Sequence, residues 1–88
     1  MPPTLKIDIY TSRFEPQSIL AKGLLDRYRL DYNEFDVELD DFNRQLMVKR
    51  SGGRHTLPQI FINGRAIGGL PELEGYLAAC FTTDTSPP

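Results

Sequence analysis

The chain has 88 residues, 40% of them apolar including 5 Phe and 4 Tyr, with 10 Lys plus Arg against 12 Asp plus Glu and a formal charge of -2. That composition supports one hydrophobic core and excludes wholesale disorder, and without a basic balance neither nucleic acid nor an anionic membrane is expected as a partner. A lone cysteine, Cys80, and a lone histidine, His55, exclude an internal disulfide, a cysteine-cluster metal site and His-rich zinc chemistry.

No apolar run approaches the roughly 18 residues of a membrane span, and the N-terminus carries no hydrophobic signal segment. The expectation is a single cytoplasmic domain over residues 1–88 with an ordered core at about residues 5–81. The ends, with Pro2 and Pro3 at one and Pro87 and Pro88 at the other, are expected to fray.

Residues 5–10 alternate, with Leu5, Ile7 and Ile9 on one face, and predict a strand. Pro16 then stands at a first helical position, where its missing N–H costs nothing. Ile19, Leu20, Leu24, Leu25 and Tyr28 follow at helical spacing and predict an inward stripe on a helix over residues 16–28. A short strand over residues 32–37 puts Phe35 and Val37 on one face. Asp40 or Asp41 can cap a second helix reaching Lys49, with Phe42, Leu46 and Met47 inward and Gly52-Gly53 as its stop.

Gln59 to Ile62 reads as a buried strand, Asn63-Gly64 as a type I′ turn with positive φ at both residues, and Arg65 to Ile67 as the return strand. A third helix over residues 71–81 places Leu73, Leu77 and Cys80 on one apolar stripe, so Cys80 is expected to be a buried small hydrophobe. The order is β-α-β-α-β-β-α. A right-handed parallel β-α-β unit followed by a hairpin makes an α/β fold with a four-stranded mixed sheet and three helices on its two faces.

That order, together with Ile9-Tyr10-Thr11, Ala21-Lys22-Gly23-Leu24-Leu25, Arg50-Ser51-Gly52-Gly53, Thr56-Leu57-Pro58-Gln59-Ile60-Phe61-Ile62-Asn63-Gly64 and Ile67-Gly68-Gly69, resembles the glutaredoxin family of the thioredoxin-like fold. The resemblance runs from Lys6 to about Cys80. It implies glutathione-dependent thiol–disulfide exchange by a Cys-Pro-Tyr-Cys or Cys-x-x-Ser segment at the start of the first helix. The matching segment here is Glu15-Pro16-Gln17-Ser18. Glu15 and Ser18 stand at the two cysteine positions, and Gln17 stands at the tyrosine.

Disulfide exchange needs a thiolate that attacks sulfur, and neither a carboxylate nor an unactivated hydroxyl replaces it. No catalytic residue is therefore assigned. Glu15 reads as a carboxylate favouring a helix start, or as a recognition group, and Ser18 as a local hydrogen-bonding residue. An iron–sulfur cluster, another activity of the family, would lack its protein sulfur.

The resemblance further implies a glutathione groove. Thr56-Leu57-Pro58 matches the family's cis-proline loop, whose backbone holds the cysteine part of glutathione. Gly68-Gly69 flanks the γ-glutamyl end, where Pro71 and Glu72 replace an Asp pair. Ser12 matches a lysine that meets the glycine carboxylate; Arg13 beside it and Arg44 on the second helix are candidate substitutes. Glu15 would face the thiol of any bound glutathione and oppose its ionisation. The candidate groove is thus Arg13, Gln17, Arg44, Thr56, Leu57, Pro58, Gly69 and Glu72. No cofactor or metal is assigned, and the expected ligand is weakly held glutathione or a protein partner. The expected function is a non-redox binding or regulatory module. The alternatives are the family's oxidoreductase activity and an interaction protein working through its helical surface.

Overall fold

The computed structural model describes residues 5–81; the expected frayed ends, residues 1–4 and 82–88, lie outside the described residues. Four strands and three helices alternate as β1 (Ile7–Thr11), α1 (Pro16–Arg27), β2 (Asn33–Asp36), α2 (Asp41–Arg50), β3 (Gln59–Ile62), β4 (Arg65–Gly68) and α3 (Leu70–Phe81). The strands form one sheet in the order β2-β1-β3-β4. β1 pairs parallel with β2 and antiparallel with β3, which pairs antiparallel with β4. This is the mixed thioredoxin-like sheet expected from the sequence.

Both faces of the sheet are covered, which is why all of β1 is buried despite its alternating pattern. Ile7, Ile9, Ile60 and Ile62 pack with Ala21 and Leu25 of α1 and Leu73 and Leu77 of α3. On the other face Tyr10 and Phe61 pack with Val37 and with Met47 of α2, and Phe35 and Leu57 close around them. Tyr10 stacks on Phe35 at 4.9 Å between centroids and meets Phe61 edge-on at 5.6 Å.

The hairpin turn has Asn63 at φ 52° and Gly64 at φ 84°, the pair of positive angles that Asn-Gly tolerates. α2 is capped by Asp40, whose side chain accepts from the Phe42 N–H at 2.9 Å, and it stops at Gly52 and Gly53, both at positive φ.

Four side chains differ from expectation, on all three helices. On α1 the buried stripe is Ser18, Ala21 and Leu25, flanked by the partly buried Leu24 and Tyr28, whereas Ile19 and Leu20 face solvent. At about 100° per residue, Ile19 and Leu20 lie more than a quarter-turn away from that stripe. The inner face thus carries small residues in the first turns of α1, Ser18 and Ala21, and large ones further along, Leu25 and Tyr28. On α2, Phe42 is exposed and the inner row is Asn43, Met47 and Arg50, spaced i, i+4, i+7. On α3, Leu73 and Leu77 are buried but Cys80 is exposed, because the core ends one turn earlier and Phe81 takes the last contact, against Tyr28.

Arg50 ties α2 to the sheet. It donates from one guanidinium nitrogen to the Tyr10 hydroxyl at 2.9 Å and from the other to Asp8 at 3.2 Å, and it lies over the Phe61 ring at 4.1 Å. Asn33 donates to the other Asp8 oxygen at 3.0 Å, so the buried carboxylate is matched on both sides.

Candidate functional site

The sheet register fixes where the site lies. Tyr10 is opposite Gln59, so the loop after β1 emerges beside the Thr56-Leu57-Pro58 loop before β3. Thr11 is opposite Asp36, and the Val37 N–H donates to the Thr11 carbonyl at 2.9 Å, so the loop after β2 emerges there as well. Ile60 is opposite Gly68, which brings the start of α3 to the same end. The N-termini of α1, α2 and α3 therefore gather at one end of the sheet, with their partial positive charges toward it.

Each of those helix starts is satisfied by a carboxylate of the chain itself. Glu15 is the N-cap of α1, and its Oε1 accepts the Ser18 N–H at 3.1 Å. Asp40 caps α2. Glu72 in the first turn of α3 reaches back to accept the Gly69 N–H at 2.9 Å, the returning half of a capping box. Ser18 is fully buried, and its Oγ accepts the Ser12 N–H at 3.3 Å. It serves as a local structural hydroxyl.

The loop from Thr56 to Pro58 has a cis Leu57–Pro58 bond, as its sequence predicts. Pro58 is buried and Leu57 half-buried. Gln59, also buried, donates from Nε2 to both the carbonyl and the hydroxyl of Thr56 at 3.0 Å; its Oε1 is unpartnered among the described residues. Gly69 lies so near this loop that a Cβ there would come within 3.4 Å of the Pro58 carbonyl. Thr56, Leu57, Pro58, Gly69 and Glu72 are thus brought together.

The basic end differs in a way the sequence does not announce. Arg13 pairs with Asp36 at 3.4 Å, and Arg44 pairs with Glu38 at 3.6 Å. The Ser12 hydroxyl donates to that same Glu38 oxygen, Oε2, at 2.9 Å. Asp36 also accepts the Glu38 and Leu39 N–H groups at 2.7 and 3.0 Å. Burial alone would raise the Asp36 pKa, but those amides and Arg13 outweigh it and hold the carboxyl below its ordinary value. Arg13 and Arg44 reach the site already carrying an acid each, while Gln17 is exposed on the first turn of α1. The sequence signal for this pairing was the acidic run Asp36 to Asp41, facing Arg13 only once the parallel register is known.

Among the described residues no group of three or more His, Cys, Asp or Glu side chains could hold a metal, and no helix is long and apolar enough to cross a membrane. The arrangement offers hydrogen-bonding backbone, carboxylates and half-buried apolar side chains, with no nucleophilic sulfur.

Residues 7–67 match the Glutaredoxin family. A probable glutaredoxin of Synechocystis is 43% identical over 70 residues, which are 80% of this chain and 64% of that protein, so the match spans just under two thirds of the relative's length. The solution structure of glutaredoxin from Brucella melitensis has a TM-score of 0.68 at 34% identity, covering 99% of this chain and 100% of that one. A buckwheat glutaredoxin–glutathione complex has a TM-score of 0.72, covering 85% of this chain and 71% of that one, and at 19% identity this likeness is one of fold.

Proposed function

This chain belongs to the glutaredoxin family, and we propose that it is a non-redox binding or regulatory module built on that scaffold, with a weakened glutathione-type groove. One observation carries the reading. The N-cap of α1, where the family presents a thiolate, holds the Glu15 carboxylate, folded back onto the Ser18 N–H at 3.1 Å. The helix field that would lower a thiol pKa there acts on a group that cannot exchange disulfides. The single thiol, Cys80, lies in the last turn of α3. That is eight residues past Glu72, about 12 Å along the helix from the end that meets the groove. A chain with one exposed thiol and no partner cysteine fits a reducing, cytoplasmic compartment.

The groove retains groups that need no side-chain chemistry, the Leu57 backbone and the Gly68-Gly69 turn, and these support residual recognition of glutathione or of a protein segment. The test is a glutathione-dependent mixed-disulfide assay. The protein and its Cys80→Ala variant should show no turnover above background. Glu15→Cys should restore a thiol whose alkylation titrates below the ordinary value of about 8.5, with modest exchange activity using glutathione as the resolving thiol. Turnover that survives in Cys80→Ala, where no thiol remains, would overturn the reading.

A further inference from the structure

Among the described residues, the large apolar side chains most exposed to solvent are Phe14 (77%), Ile19 (55%), Leu20 (59%), Leu39 (72%) and Phe42 (64%). They fall in two segments, the first turns of α1 with the loop before it, and the first turn of α2 with the loop before it. Apolar side chains scattered singly over a surface need no explanation, but a local concentration marks a contact surface.

The two segments are held against each other. The Phe14 N–H donates to the Ser12 hydroxyl at 3.1 Å, that hydroxyl donates to Glu38 at 2.9 Å, and Leu39 is the next residue. Arg13 and the Leu39 N–H meet on the two oxygens of Asp36, and Arg44 folds from α2 onto Glu38. Phe14 and Leu39 therefore project from one pinned corner, with Phe42 on the helix turn that follows it.

Charge decides what such a corner can bind. Glu15, Asp36, Glu38, Asp40 and Asp41 place five carboxylates there against the two guanidiniums of Arg13 and Arg44, both already paired with acids. The formal surplus of three negative charges exceeds the -2 of the whole chain, so the rest of the molecule is close to neutral and the corner carries the field. Nucleic acid is repelled by that field, and a second copy would bring like charge against like.

We propose that this corner, from Ser12 to Leu20 and from Asp36 to Phe42, is a docking surface for a protein segment that alternates basic and large apolar side chains. Phe14, Leu39 and Phe42 give the apolar contact. The carboxylates of Glu15, Asp40 and Asp41, each with one oxygen engaged within the chain, receive lysine or arginine. The proposal rests on the reading of the chain as a binding module and gives that module its partner chemistry.

The test titrates the folded, isotope-labelled protein with a short synthetic peptide alternating lysine with leucine, followed by backbone amide shifts. Controls alternate glutamate with leucine and lysine with serine. The expected result is a set of shifts confined to residues 12–20 and 36–43 with the lysine–leucine peptide alone. Raising salt from about 50 to about 200 mM should weaken binding several-fold as the charges are screened. Phe14→Ser and Phe42→Ser should each weaken it about tenfold, and both residues are exposed, so the fold is unaffected. Leu39→Ser provides a third, independent variant.

Equal shifts with the glutamate–leucine peptide, or no loss in the three serine variants, would overturn the proposal. So would sedimentation that shows a dimer abolished by Phe14→Ser, since the occupant would then be a second copy. Shifts confined to Leu57, Gly69 and Glu72 would overturn this surface while leaving the groove reading intact. Absence of binding by any peptide would remove the surface, and the mixed-disulfide assay with Glu15→Cys would still decide the groove independently.

Discussion

Arg50 shows how one side chain can hold two layers together. Its guanidinium meets Tyr10 and Asp8 across 40 and 42 residues of sequence and covers the Phe61 ring. Taking both charges out of water is costly, so the pair is a weak source of net stability but a strong liability if broken. Arg50→Met removes the donor to a nearly buried carboxylate, leaving Asp8 only the Asn33 amide among its described side-chain partners. We expect a loss of about 2–4 kcal/mol in urea unfolding at neutral pH. The double variant Asp8→Asn/Arg50→Met should recover part of it, because the uncompensated charge is gone. Arg50→Lys should fall between, since an ammonium keeps the charge but lacks the planar fork that reaches the Tyr10 hydroxyl and Asp8 from two nitrogens. A loss below about 0.5 kcal/mol for Arg50→Met, the range of neutral surface changes, would show that the contact is not formed as described.

At the scale of elements, Glu34 is the junction of β1, β2 and α1. Its Oε2 accepts the Thr11 hydroxyl at 2.7 Å and the Lys22 ammonium at 2.8 Å. Burial pushes the Glu34 pKa up, but the hydrogen bonds from Lys22 and Thr11 outweigh it and set the folded value below the ordinary 4.5. The folded state therefore binds protons less readily than the unfolded chain. Its contribution is fully present above about pH 4.5 and is lost as pH falls through the lower folded value. Lys22 runs the other way. Its hydrogen bond to Glu34 raises its pKa above 10.5, so its contribution holds below that pH and is lost as pH rises through the folded value. Glu34→Gln should shallow the fall of the urea midpoint between about pH 5 and 3, with the difference from the unsubstituted protein shrinking toward low pH. Parallel acid limbs for the two proteins would show that Glu34 does not couple folding to protons.

The elements themselves were legible because their signals are local. Pro16 at a helix start, Asn63-Gly64 at a turn, Gly52-Gly53 at a helix stop and Thr56-Leu57-Pro58 ahead of a strand each act within a few residues. Helix faces were less legible. On α1 a stripe chosen by hydrophobicity pointed to Ile19 and Leu20, but the face turned inward carries Ser18 and Ala21, which a hydrophobicity count passes over. On α3 the apolar row continued one turn past the core, so Cys80 looked buried and is not. At the site, the cap at Glu15 and the loop at Pro58 could be read from the chain. The pairing of Arg13 with Asp36 and of Arg44 with Glu38 could not, because it depends on the parallel register of β1 and β2.

Across the whole molecule, the groups that would greet an anionic tripeptide are already engaged within the chain. The Gly69 N–H is held by Glu72, the Ser12 hydroxyl by Glu38, and the guanidiniums of Arg13 and Arg44 by Asp36 and Glu38. Glutathione would have to displace three carboxylates while adding its own negative charge beside Glu15. Each exposed pair is worth only a fraction of a kcal/mol to about 1 kcal/mol, so no single contact blocks binding, but their displacement together removes most of the gain from a ligand carboxylate. We therefore expect a dissociation constant of about 10 mM or weaker. At about 10 mM glutathione such affinity stabilises the native state by no more than about 0.4 kcal/mol. For a domain of this size that is a rise in Tm of about 3 °C or less. Glu38→Ala should enlarge the rise by freeing the Ser12 hydroxyl and Arg44 for the ligand. A glutathione ester that lacks the glycine carboxylate should gain nothing from the same substitution. The measurement is a set of melting curves for both proteins with each ligand. A shift well above 5 °C in the unsubstituted protein would mean that the ligand displaces these internal acids readily, and that the groove retains the affinity this reading denies it.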